Sequence, residues 1–488
     1  MIPYRFLVVA AAAATLAALS ASIASAQTLP APTATPTPIP NASSSLPYPA
    51  YGKPAPSVSA TTVRPGIPPR VTLAQSLAIA AASSPVLAAA RANYRLAQVP
   101  VNLAKSAIFP SVTGQASITR TGGALVFGGS SFRSGQRAFV SKGISLNVKQ
   151  LIYDGGKVIA EIHSAKATQT GAADTYERDL QTLAYSVAQA YYSALQAERA
   201  TSLAVQVVHQ NEVQENLVRA QIRAGTTAPA DLLTAELPTA QARVALVKAQ
   251  GAELSSLAAF ANVLGLDADT RIRPADDTPA GRAATLLHAP VLPYRTALKR
   301  ALALRPDYLA AERTVEADQY TLQAQRLGRF PVLTATASTG ANSTNPVNGT
   351  QFLNANSIGA QISLPIFDQG VTAAYVAQAA AVLDTAEAQL RSAKLGIQLG
   401  VRQALVGLVS AQAALGETQA ELNTAQEVLK ATQAQYRAGV TTLPLLLNAQ
   451  VGLTQAETDR LNAVYALRQA QQTYAYALGE SDLMPAGP

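Results

Sequence analysis

Two periods alternate along this chain. From Thr72 the apolar positions Leu73, Leu77 and Ala80-Ala81 recur at helical spacing. Thr72 and Gln75 have the spacing of a capping box at the start of that helix. Ser83-Ser84-Pro85 ends it, and Pro85 opens a second helix that runs to about Ala107, ahead of Phe109-Pro110. The period then falls to two. Ile144, Leu146 and Val148 alternate with Ser145, Asn147 and Lys149, which predicts a strand with one apolar and one small polar face. Ser111 to Arg120 is a weaker match of the same kind. A helical stretch rich in Ala, Gln and Leu follows between Gly156 and Gly225. After the turn at Ala224-Gly225-Thr226-Thr227, a return helix leads to Leu264.

The series then repeats. Pro85 and Phe109-Pro110 return 221 residues later as Pro306 and Phe330-Pro331. Tyr153-Asp154-Gly155-Gly156, Arg223-Ala224-Gly225 and Leu264-Gly265 return 214 residues later, as Phe367-Asp368-Gln369-Gly370, Arg437-Ala438-Gly439 and Leu478-Gly479. The offset changes only between Pro110 and Asp154, where the first copy is seven residues longer. Insertions settle in loops, so each copy has a loop in that interval. The Gly-rich stretch Gly122 to Gly135 and the Asn/Thr/Gly-rich stretch Gly340 to Asn356 are expected as those loops. In the second copy Leu333, Ala335 and Ala337 alternate with Thr334, Thr336 and Ser338. Ile358, Ala360, Ile362 and Leu364 alternate with Gly359, Gln361 and Ser363.

The expected organisation is a signal peptide at 1–26, a Pro-rich linker at 27–70 and two repeat halves, 71–285 and 286–488. Strands are expected at about 111–120 and 139–151, then at about 331–341 and 357–367. Helical tips fall at about 223–232 and 437–446. The signal rests on Arg5, the apolar run Phe6 to Leu19 and the small residues Ala24-Ser25-Ala26. Residues 27–70 are too rich in Pro, Thr, Ser and Ala to bury a core. No later segment is long and apolar enough for a transmembrane helix.

Four strands of about ten residues suit tilted membrane β-strands. Lipid offers no partner for a free sheet edge, so four strands cannot close and several protomers must pool them. A dimer would supply eight and a trimer twelve. Between Gly156 and Gly225, and between Gly370 and Gly439, helix of roughly 100 Å is predicted, about three times a bilayer core. Such helices must project into water. The fold class is therefore mainly α with a small β part: long helical hairpins plus four membrane strands per protomer.

Composition narrows the function. The chain has no Cys, which excludes disulfides, thiol chemistry and Cys metal sites. Its net charge is +8, yet charged residues are only 14% of the chain and no basic cluster stands out, a poor nucleic-acid footprint. His163, His209 and His288 lie far apart in no ligand pattern, and Glu212 and Glu215 read as a solvated helix face. No nucleophile elbow, metalloprotease helix or phosphate loop is present. No enzyme activity, cofactor or metal is expected.

Thr72 to Leu77 with Ser84-Pro85, and Ala301 to Asp307 in the second copy, resemble the opening pattern of the TolC-like outer-membrane efflux proteins. The Phe-Pro before each hairpin, the aromatic-Asp-x-Gly after it and Tyr436-Arg437-Ala438-Gly439 are similar to that family's motifs. The resemblance covers about residues 72 to 480. It implies a homotrimer whose twelve-stranded β-barrel sits in outer-membrane lipid above a periplasmic α-helical barrel. The trimer would be a passive duct for efflux or type I secretion, working with an inner-membrane transporter and a periplasmic adaptor protein. It further implies that adaptor docking and the periplasmic gate involve the tips, at Gly225, Thr226, Asp231, Tyr436, Gly439, Thr441 and Asn448. The sequence departs from the family at the second tip, where acidic constriction positions are occupied by Leu445 and Asn448. Asp231, which aligns with Leu445, either supplies the acidic ring or simply favours its helix dipole. The alternative to the duct is an exported periplasmic coiled-coil scaffold or adaptor, which needs no duplicated β-hairpins.

Overall fold

The computed structural model describes residues 69–121, 139–226, 228–276, 291–345 and 351–480. The expected signal peptide, the Pro-rich linker up to residue 68 and the loop Gly122 to Gly135 lie outside the described residues. The chain runs β1 (Arg70–Val71), α1 (Leu73–Ser83), α2 (Pro85–Ser106), β2 (Ser111–Thr121), β3 (Phe139–Tyr153), α3 (Lys157–Arg223) and α4 (Ala230–Val263). The second half runs β4 (Arg273–Pro274), α5 (Tyr294–Leu304), α6 (Pro306–Leu327), β5 (Val332–Asn345), β6 (Leu353–Ser363), α7 (Val371–Arg437) and α8 (Leu443–Leu478). The fold is mostly helical with a small sheet.

The described residues form two compact units. The first takes the described residues between 98 and 167 and between 316 and 384, and the second those between 69 and 97, 168 and 315, and 385 and 480. Each draws on both repeat halves, so the compact units do not follow the expected halves 71–285 and 286–488. The reason is strand pairing across the repeat.

In the first unit the four strands form one antiparallel sheet in the order β2-β3-β5-β6. Each hairpin pairs within one half, and β3 with β5 joins the halves. The registers are equivalent: Ser111 faces Lys149 and Thr121 faces Phe139, while Val332 faces Ser363 and Asn342 faces Leu353. Beyond the last paired rung of each hairpin lie residues 122–138 in the first and 343–352 in the second, seventeen against ten. The whole seven-residue difference lies there. Two strand limits need correction. β5 continues to Asn345, beyond the expected 341, because β3 still pairs with it there. β6 covers 353–363 rather than 357–367. Residues 364–367 correspond to Gln150–Tyr153, which stay extended because β5 holds their other edge. Among the described residues, the outer edge of β6 has no strand beside it.

The aromatic-Asp-x-Gly motif acquires a local cause here. The Asp154 carboxylate accepts from the N–H groups of Gly156 (3.0 Å) and Val158 (2.6 Å), and Asp368 accepts from Gly370 (3.1 Å) and Thr372 (2.8 Å). Each aspartate caps the free N–H groups of a 67-residue helix and complements its dipole. These hydrogen bonds, chiefly those involving Thr372, hold the Asp368 carboxyl below its ordinary pKa.

In the second unit the capping box of α1 forms, with Gln75 N–H donating to Thr72 Oγ1 (3.2 Å) and Thr72 N–H to Gln75 Oε1 (3.0 Å). Ser84 and Arg305, each before a proline, are extended and divide α1 from α2 and α5 from α6. One core joins Leu77, Ala80, Leu183, Val187, Phe260 and Leu264. Its repeat counterpart joins Ala301, Ile397, Val401 and Leu478. Among the described residues no single helix is long and apolar enough to cross a membrane; only the bent pair α1 and α2 passes by length and composition.

Candidate functional site

The tips are built from the ends of α3 and α7 and the starts of α4 and α8. Both long helices end in the same motif. Gly225 N–H donates to Ile222 O (2.9 Å) and Thr226 N–H to Gln221 O (3.0 Å). Gly439 N–H donates to Tyr436 O (3.0 Å) and Val440 N–H to Gln435 O (2.9 Å). This 5→2 and 6→1 pair is a Schellman motif, which needs a left-handed residue. Gly225 and Gly439 supply it, at φ of 73° and 72°. The sequence signal is the repeated Gln-x-Arg-Ala-Gly, whose Gln carbonyl accepts the 6→1 bond. Thr226 Oγ1 adds a second bond to Gln221 O (3.0 Å).

The two tips meet. Val218, Ala235, Leu443 and Leu447 form a buried cluster, with Ile222 and Tyr436 packed against it. Tyr436 Oη donates to Gln221 Oε1 across the pair (3.1 Å). The apolar burial fixes the tips, and the tyrosine satisfies its hydroxyl at the rim. The side-chain contact of Gln221 with Tyr436 has no local signal in the sequence, because the two lie 215 residues apart.

The remaining candidate residues occupy different surroundings. Asp231 lies in the first turn of α4, half-buried, with its N–H donating to Ala228 O (3.0 Å). Thr441 is half-buried just ahead of the α8 N-cap at Thr442, and Pro444 lies in the first turn of that helix. Asn448 is exposed, as is Leu445. The structure thus brings Tyr436 and the first tip together through Gln221 and leaves Asn448 exposed.

Above the tips, ion pairs tie α3 to α4. Arg219 bridges Glu215 (2.6 Å) and Glu236 (3.3 Å), and Arg243 pairs with Glu212 (2.7 Å). Glu212 and Glu215 are therefore paired acids on a helix interface rather than a plain solvated face. The hydrogen bond to Glu212 raises the Arg243 pKa above its ordinary value. A cavity of about 230 Å³ lies between α3, α4 and α8, lined by Asn211, Gln241, Gln450 and Gln455 with Pro238 in its wall. Helix α4 runs from Ala230 to Val263 through Pro238 without a break. Among the described residues no group of three or more His, Asp or Glu is arranged to hold a metal ion.

Comparison with known proteins gives a consistent picture. The family described as "Outer membrane efflux protein" matches residues 77–266 and again 297–480, one match per repeat half. The outer membrane efflux protein BepC of Brucella suis is 27% identical over 408 residues, covering 82% of this chain and 85% of that protein. The protein CyaE of Bordetella pertussis is 26% identical over 451 residues, covering 88% and 89%. The fold is similar to the crystal structure of the outer membrane protein VceC from Vibrio cholerae. The TM-score is 0.71 at 19% identity, over 84% of this chain and 96% of that one.

Proposed function

This chain belongs to the outer membrane efflux protein family, and from that premise we propose that three copies form an exit duct between periplasm and exterior. The carrying observation is the four-stranded sheet whose two outer strands, β2 and β6, each have an edge with no partner strand among the described residues. In lipid such edges must be paired. Joining β6 of one copy to β2 of the next closes twelve strands in a trimer. That junction would also hold residues 364–367 extended, as β5 holds Gln150–Tyr153. Apolar residues of the alternating strands are exposed, with Val112 at 59%, Ile358 at 69% and Ile362 at 71%. In the barrel they face lipid, and the opposite face, which carries Thr113, Gln115, Ser145, Asn147 and Gln361, lines a wet lumen. The scaffold alternative required no paired hairpins and is not favoured.

The long helices α3 and α7 continue into the periplasm, and the tips form its gate. Asp231, in three copies, supplies an acidic ring; Asn448 replaces an acid at the second tip. The extracted protein is expected to have trimeric mass and to conduct with cation preference in planar bilayers. Asp231→Ala is expected to remove that preference. A monomer or dimer without conductance would sink the duct, and unchanged reversal potentials for Asp231→Ala would remove the acidic ring alone.

A periplasmic adaptor docks on the tips, with an inner-membrane transporter behind it supplying energy. Gly225 and Gly439 have open space where a side chain would go, with nothing within 4 Å of the point a Cβ would occupy. A side chain there costs roughly 1–2 kcal/mol of backbone strain and obstructs only a partner. Gly225→Val with Gly439→Val should leave the trimer assembled and abolish adaptor crosslinking. Intact crosslinking and efflux would place the docking surface elsewhere.

A further inference from the structure

We propose that the apolar face of the sheet carries a site for a phosphorylated lipid, with Arg120 and Lys142 holding its phosphate and an adjacent recess taking an acyl chain. The site rests on the barrel reading, which turns this face to lipid.

Strand register decides which side chains share a face. Ile118 lies opposite Lys142, and Ala116 opposite Ile144, which in turn faces Ala341. The face that carries Val112, Ile118, Ile144 and Ile358 therefore also carries Arg120 and Lys142. Both basic residues are exposed. They occupy the last rungs before the hairpin connection, at the end of the sheet remote from the helices. Arg120 pairs with Val140, so Arg120 and Lys142 are diagonal neighbours across β2 and β3. That geometry sets them roughly 7–8 Å apart at the backbone, close enough for both to reach one phosphate.

No Asp or Glu stands on any of the four strands. The pair therefore has no counter-charge on the sheet. Basic groups on a lipid-facing barrel surface are costly at mid-membrane and nearly free at its interface. Their position at the hairpin end puts them at the outer interface, where an anionic headgroup would neutralise them. Each basic side chain near such a surface gains on the order of 1 kcal/mol from anionic lipid.

The second observation is a recess of about 350 Å³ beside them. Seven of its ten lining residues fall on this face by register, among them Gly114, Ala116, Leu146 and Ala341. Small residues floor it and Ile144 and Leu146 wall it, so it is mainly apolar. Charge and recess together match one amphiphile: a lipid with a phosphate at its head and chains directed into the bilayer.

The test uses full-length trimer in detergent, incubated with bis-phosphorylated lipid A or with its dephosphorylated form, and read by native mass spectrometry. The wild type should retain the phosphorylated lipid roughly thirtyfold more strongly, because both basic groups lose their anionic partner in the comparison. Arg120→Gln with Lys142→Gln should lower retention to that of the dephosphorylated lipid, and Arg120→Lys with Lys142→Arg should preserve it. Ala116→Phe, which fills the recess, should weaken retention of both lipids. Conductance of each preparation is recorded in parallel. A conducting trimer that holds both lipids equally, or that keeps its preference without the two charges, overturns the lipid site alone. A preparation that neither assembles nor conducts overturns the barrel and the site together.

Discussion

On the proposed trimeric barrel, Gly340→Val is expected to abolish trimer formation, whereas Gly114→Val leaves it intact. Both glycines lie within strands of the same sheet. A Cβ at position 340 would stand 2.5 Å from the Ile144 carbonyl oxygen and 3.0 Å from Ser145 Cα and Cβ. Those atoms belong to the backbone of β3 and its nearest side-chain carbon, so none can swing away. Strands β3 and β5 would have to part, and that pairing is the seam joining the two hairpins. Overpacking of a rigid site costs about 3 kcal/mol, and here the cost falls on the contact that holds four strands together. Position 114 has nothing within 4 Å of a Cβ. Detergent extracts run by size exclusion with light scattering should show trimer for Gly114→Val and none for Gly340→Val. Equal trimer yields would mean that the seam can open without cost.

The same seam shows what is legible in the sequence. The alternation of Ile144, Leu146 and Val148 announces β3, and its repeat announces β6. Proline and glycine mark the helix ends at Pro85, Gly225, Pro306 and Gly439, because each enforces a local conformation. The limits of β5 and β6 are not legible, since the extent of a strand depends on which neighbour holds each edge. Asp154 and Asp368 are visible as a repeated aromatic-Asp-x-Gly motif; their role as helix caps emerges only once the carboxylates meet the N–H groups two and four residues on. At the tips the glycines are visible from local spacing. The Gln221 partner of Tyr436 is not, because nothing local records a contact across 215 residues. The same limit hides the ion cluster where the α5–α6 break meets the end of α8.

In that cluster, Asp307 should prove the main source of acid sensitivity. Arg305 grips its carboxylate with two bonds, of 3.0 Å and 2.5 Å, and Arg178 approaches to 3.8 Å. The side chains of Arg178 and Arg305 are only 11% and 12% exposed. Arg178 also lies 3.8 Å above the Tyr476 ring and donates to Gln181 and to the Tyr476 carbonyl. Arg305 donates to the Ala477 carbonyl, so the pair ties α3 and the helix break to the end of α8. Burial works to raise the Asp307 pKa. The hydrogen bonds from Arg305 and the charges of both guanidiniums outweigh it and hold the carboxyl below its ordinary 3.8. A folded-state pKa lower than the unfolded one means stability that is present above the ordinary carboxylate range. It is lost as pH falls through the folded value. Asp307→Asn leaves two nearly buried guanidiniums without their counter-ion. Breaking such a pair costs about 3–5 kcal/mol when it is fully buried. The 38% exposure of Asp307 lets water screen it, which reduces the expectation to about 2 kcal/mol. The loss should appear as a lower denaturation midpoint for Asp307→Asn, constant between neutral pH and about pH 5. Below about pH 4 the wild type should fall towards the variant, because protonation removes the same charge. Asp174 and Glu457, whose pKa values burial raises, titrate in both proteins and cancel in the comparison. A gap that persisted unchanged at low pH would show that Asp307 acts by shape alone.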